Sequence, residues 1–115
     1  MIVTIYHNPR CSKSRQTLAL LKARGIEPEV VLYLETPPDA ATLGGILDLL
    51  GMAPRELMRK KEAGYKAAGL NHPSLAREAL IAGMVANPIL IERPIVLAGG
   101  KAALGRPPES VLDIL

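Results

Sequence analysis

MIVTIYHNPRCSKSRQTLALLKARGIEPEVVLYL, residues 1–34, decides the fold. It opens β-branched and apolar, and Asn8-Pro9 punctuates the end of that run. This predicts a buried strand over Ile2–Tyr6. Next, SKSRQTLALLKARG sets Leu18, Ala19 and Leu21 on one face and stops at Gly25, which predicts a helix over Ser12–Arg24. EVVLYL, Glu29–Leu34, reads as a second apolar strand. Strand, helix and strand in so short a span form a βαβ unit with a parallel pair.

Cys11, the one cysteine of the chain, falls where the first strand hands over to the first helix. The first amides of a helix have no intrahelical partner, so those of Ser12, Lys13 and Ser14 can point at its sulfur. The positive end of the helix dipole favours a thiolate there. A thiol of pKa ~8.5 is about 3% ionised at pH 7, and a drop to ~6.5 makes it about three-quarters ionised. Arg10, Lys13, Arg15 or a protonated His7 would add to the drop, and the same amides can hold an anion. His7 alone is a weak signal, since it caps a strand or faces water as readily as it assists a thiol. Three residues beyond Cys11 stands Ser14, not a second cysteine. An adduct on Cys11 must therefore be released by the thiol of another molecule.

Beyond Leu34 the middle of the chain reads as helical. Asp39–Leu50 carries Leu43, Ile46, Leu47 and Leu50 at helical spacing, with Gly51 as its stop. Pro54 suits a first helical position and opens a helix through PRELMRKKEAGY. SLAREALIAGMVAN begins with a serine cap and ends at Asn87-Pro88. PIVL and KAAL flank Ala98-Gly99-Gly100, a hairpin signal, and PPESVLDIL starts a last helix. The order is βαβ, helices, ββα. It predicts one α/β domain over residues 1–115. Its fold is thioredoxin-like, a four-stranded mixed sheet with a helical insertion over about residues 39–87.

Composition narrows the functions. A chain of 115 residues that is 49% hydrophobic can bury one core. With no Phe or Trp and three Tyr, it offers little for stacking nucleic-acid bases. Its net charge of +3 is mild, and Arg59-Lys60-Lys61 is a short run of the sort found on solvated helix faces. No partner nucleic acid is expected. One cysteine supplies neither an internal disulfide framework nor a Cys-rich zinc site, so no metal is expected. No signal peptide and no apolar run of membrane-spanning length can be read, which makes a cytoplasmic location the default.

YHNPRCSKSR, ERPIV and GRPPE together resemble the glutaredoxin-coupled arsenate reductase family, a thioredoxin-fold group. The similarity runs nearly end to end. It implies that Cys11 attacks arsenate, that glutathione then thiolates the arsenic adduct, and that glutaredoxin completes reduction to arsenite. Glutathione would be a co-substrate, and no cofactor is expected to be bound. The resemblance sets the oxyanion-binding arginines at Arg59, Arg93 and Arg106 and the histidine that favours the thiolate at His7. It also implies a cis bond at Pro94, near the thiol. Ser14, Arg15 and Pro94 are expected in support. A guanidinium presents fork geometry to a tetrahedral oxyanion, and several cations are needed before a thiolate can approach an anion.

Two other readings share the fold. A redox regulator of the Spx type would bind RNA polymerase, but such regulators carry a two-cysteine switch, and Ser14 occupies the second position. The other is a monothiol protein without arsenate activity, forming only a mixed disulfide with glutathione.

Overall fold

A computed structural model describes residues 2–115. The chain forms two compact units, Met1–Thr36 with Arg93–Leu115, and Pro37–Glu92. In the first, the strands are β1 (Val3–His7), β2 (Glu29–Leu32), β3 (Ile95–Ala98) and β4 (Lys101–Leu104), and α1 spans Ser12–Ala23. They form one four-stranded sheet of order β2-β1-β3-β4. β1 and β2 run parallel, with Tyr6 opposite Val31. β3 is antiparallel to β1, with Ile5 opposite Val96, and β4 is antiparallel to β3. This is the mixed α/β, thioredoxin-like arrangement expected from the sequence.

The strand period of two explains the most consequential placement. Side chains alternate across a strand, so Val3, Ile5 and His7 share one face of β1. Val3 and Ile5 are buried in a core with Leu21, Val96, Ala98 and Val111. His7 is buried with them, at the end of the strand beside the turn that carries Cys11. α1 buries Ser14, Thr17 and Leu21, spaced three and four apart on one face. The face expected from Leu18, Ala19 and Leu21 is therefore rotated: Leu18 is partly buried against the core and Ala19 is exposed.

Several boundaries depart from expectation. β2 ends at Leu32, where the amides of Glu35 and Thr36 turn back onto the Leu32 carbonyl. The expected last helix is a 3-10 helix over Pro108–Ile114. Three residues per turn align Pro108, Val111 and Ile114 on one side, and Pro108 and Val111 are buried there.

In the second unit, α2 spans Ala40–Leu50, and Thr42 N–H donates to the Asp39 carboxylate in its first turn at 2.8 Å. Gly51 closes it in the left-handed region at φ 66°. The continuous helix expected from Pro54 is absent. Pro54–Leu57 is a 3-10 turn, Met58 forms a β-bridge with Ile91, and α3 covers only Ala63–Ala67. Pairing with a segment more than thirty residues away outweighs local helix propensity. α4 spans Arg77–Ala86 and starts three residues after the expected cap. Ser74 bonds His72 Nδ1 instead. Leu43, Ile46 and Leu47 of α2, with Leu80, Ile81 and Met84 of α4, are buried in this unit.

Candidate active site

Cys11 is the N-cap of α1, with extended backbone at φ −92° and ψ 124°. Asn8 builds the turn that presents it. The Asn8 carbonyl accepts the Cys11 amide at 3.0 Å, and the Asn8 side-chain oxygen accepts the Arg10 amide at 3.0 Å. The second bond is an Asx turn, which Asn forms readily because its side chain mimics a backbone carbonyl. The Asn8 amide in turn donates to Ser14 Oγ at 3.0 Å. Arg15 Nη1 ties the Pro9 carbonyl at 2.9 Å, so the turn is fastened back to α1 from outside as well.

Ser14 holds the turn from inside. It is fully buried, and its Oγ lies 2.7 Å from His7 Nδ1. Burial, then Arg15 and Lys22, pushes the His7 pKa below the usual histidine range. Ser14 Oγ accepts the Asn8 amide, and in the tautomer with the proton on Nε2 its own hydroxyl donates to His7 Nδ1. His7 thus reaches the cysteine turn through Ser14, and its lowered pKa favours the neutral ring over the protonated one.

The sulfur is partly exposed. Burial raises its pKa, but the Ser14 amide, the Arg93 guanidinium and the Lys13 amide outweigh that and leave it below the ordinary thiol value. Among side-chain cations, Arg93 lowers it both by hydrogen bond and by charge. Arg106 adds a second guanidinium, with Nη2 3.6 Å from Cys11 Sγ and Nε donating to the Arg93 carbonyl at 2.8 Å. The Arg93-Pro94 and Arg106-Pro107 peptide bonds are both cis.

Gly105 makes this approach possible. Its amide donates to the Pro94 carbonyl at 2.9 Å. A Cβ at this position would sit 2.6 Å from Pro94 Cγ and 2.6 Å from Thr17 Oγ1. Only a residue without that carbon lets the end of β4 pass so close to α1 and the Arg93-Pro94 segment. Sequence reading took Asn8 only as the end of a strand run and Gly105 only as part of GRPPE, and gave Thr17 no role. An Asn before Pro, and a Gly before Arg-Pro, were the available signals.

Arg59 lies in the second unit with different partners. Nη1 meets the Glu92 carboxylate at 2.6 Å and Nε meets Glu62 at 3.5 Å. The bridge sets up this pair: the Arg59 amide donates to Leu90 and the Glu92 amide to Leu57. Among the described residues, no three His, Cys, Asp or Glu side chains group so as to hold a metal ion. No helix among them is long and apolar enough to cross a membrane.

The chain is similar to known proteins over nearly its whole length. A sequence model of the ArsC family matches residues 6–114. The chain is 67% identical over 114 residues to the uncharacterized protein YfgD of Escherichia coli K12, covering 98% of this chain and 96% of that one. It is 53% identical to an arsenate reductase of Neisseria meningitidis, with 98% and 97% covered. The structure of an arsenate reductase from Vibrio cholerae matches at a TM-score of 0.97 and 52% identity, covering 100% of this chain and 98% of that one.

Proposed function

The chain belongs to the ArsC family, and from that premise we propose that it reduces arsenate to arsenite, with Cys11 as nucleophile and glutathione and glutaredoxin as the outside thiols. The observation that carries this reading is the Cys11 sulfur at a helix start, its pKa lowered by two helix amides and Arg93, with Arg106 Nη2 3.6 Å away. A nucleophile and cations stand together there, as attack on an anion requires.

The proposed cycle has four steps. The Cys11 thiolate bonds arsenic, and one arsenate oxygen leaves as water; arsenic stays pentavalent. Glutathione then forms a second sulfur–arsenic bond with loss of another water. The glutaredoxin thiolate attacks the glutathionyl sulfur, breaking its bond to arsenic. The electron pair of that bond stays on arsenic, which becomes trivalent, and a glutaredoxin–glutathione disulfide departs. Water finally cleaves the Cys11–arsenic bond, freeing arsenite and the thiol. The sum is arsenate plus two thiols giving arsenite, a disulfide and one water, with no resident cofactor.

Arg93 and Arg106 are the proposed oxyanion contacts beside the sulfur, and Arg59 is the third proposed contact. His7 and Ser14 act as positioning residues: they fix the turn so that the Ser14 and Lys13 amides stay aimed at Cys11. Purified protein supplied with arsenate, glutathione, glutaredoxin, glutathione reductase and NADPH should consume NADPH in proportion to arsenate. Folded protein that leaves NADPH untouched would reject the reading.

A further inference from the structure

Resting on that reading, we infer that the groove on the β2 side of the cysteine turn seats the thiol co-substrate, and that it is shaped for a zwitterionic peptide thiol such as glutathione. The chain has one cysteine, so the second sulfur must arrive from outside. Sheet order puts β3 on one side of β1 and β2 on the other. Arg93 and Arg106, which bracket β3 and β4 in sequence, occupy the first side with their guanidinium groups. The other side holds a groove of about 410 Å³, lined by His7, Pro9, Arg10, Leu32, Leu34 and Glu35 among others. That volume lies in the usual range for small-molecule sites, ~300–1,000 Å³.

The location and lining both favour a ligand. The groove opens beyond the carboxyl ends of the parallel pair β1 and β2, where ligands of parallel sheets commonly sit. Arg10 is one peptide unit from Cys11, so its wall ends about 3.8 Å, one Cα step, from the nucleophile's residue. Arg10 comes from the β1–α1 turn and Glu35 from the turn after β2, two exposed opposite charges on separate segments. The same lining includes Leu32 and Leu34, which remain 38% and 40% exposed. A ligand with a carboxylate for Arg10, an ammonium for Glu35 and methylenes for the leucines is complementary to all of these. An uncharged small thiol satisfies only the apolar part.

S-methylglutathione, which cannot exchange disulfides, is the probe. Titrated into the ¹⁵N-labelled full chain without arsenate, it should give saturable amide shifts confined to residues 7–10 and 32–35. Glu35→Lys should weaken that binding about fivefold, because an attraction becomes a repulsion. In turnover it should raise the KM for glutathione and leave the KM for arsenate unchanged. Glu35→Gln should lie between. Saturable shifts centred on Ile95 and Arg106, no saturable shifts, or equal binding by Glu35→Lys would each overturn the assignment. The titration contains no arsenate, so failure of the groove appears here, whereas failure of the reductase reading appears only in the NADPH assay.

Discussion

Arg106 and Arg59 are both proposed to meet the oxyanion, yet they are held in contrasting ways. Arg106 touches the Arg93 carbonyl and the Cys11 sulfur. Arg59 touches two carboxylates, Glu92 and Glu62. An anion arriving at Arg59 must displace like charge from it. At Arg106 it meets the nucleophile itself. The difference teaches that an arginine's place in a motif does not fix its electrostatic readiness; the groups folded against it do. It also separates two tasks. Arg93 and Arg106 act on the sulfur before any substrate arrives, whereas Arg59 is held by carboxylates with which an anion would compete.

The largest test removes the reference point of that contrast. Cys11→Ser should abolish turnover in the NADPH assay while thermal unfolding stays close to wild type, since the sulfur is partly exposed and the change is nearly isosteric. Arg106→Ala should come next, lowering kcat/KM for arsenate about 30-fold, as loss of ~2 kcal/mol in a charge-assisted hydrogen bond implies. Arg59→Ala should cost about fivefold, the scale of a part-exposed ion pair. Equal losses for the two arginines would erase the contrast.

Gly105→Ala probes the route by which Arg106 arrives. Overpacking against Pro94 and Thr17 should destabilise the chain by about 1–3 kcal/mol, read from denaturant midpoints. The pH dependence sharpens the picture further. Below its pKa the thiol is neutral, so alkylation by iodoacetamide should rise with pH through a midpoint under the ordinary ~8.5. Arg93→Ala should shift that midpoint upward, while Arg59→Ala should leave it in place. The smallest effect belongs to Glu92→Gln. It weakens the hold on Arg59 and should lower the KM for arsenate about twofold, within the range of one part-exposed pair. An unchanged KM would mean that Glu92 does not compete with the anion.

Local chemistry made much of this legible in the sequence. Short apolar runs, the helix stop at Gly25 and the Gly99-Gly100 turn pointed to the sheet. The step from strand to helix put Cys11 at an N-terminus. What escaped was set by contacts distant in sequence. Nothing near Met58 announces its bridge to Ile91, so Pro54–Tyr65 read as one helix. Ser74 resembled a cap until His72 took its hydroxyl. The aim of Arg106 could not be read, because it depends on the Arg93 carbonyl and on close approach at Gly105. Asn8 passed for punctuation. Its three hydrogen-bonding groups proved to organise the turn, and only the Asx bond to Arg10 follows from residue type.

Ser14 has a further consequence for how the protein ages. Peroxide converts a reactive thiolate to a sulfenic acid, which is rescued by condensing with a nearby thiol. At the position where such a neighbour would stand, a hydroxyl is sealed inside the chain and bonded to an imidazole. With one cysteine in the chain, an oxidised Cys11 has no intramolecular disulfide to form. A second equivalent of peroxide carries it to the sulfinic acid unless a dissolved thiol condenses with it first, so the lifetime of the nucleophile is set by the thiols around it.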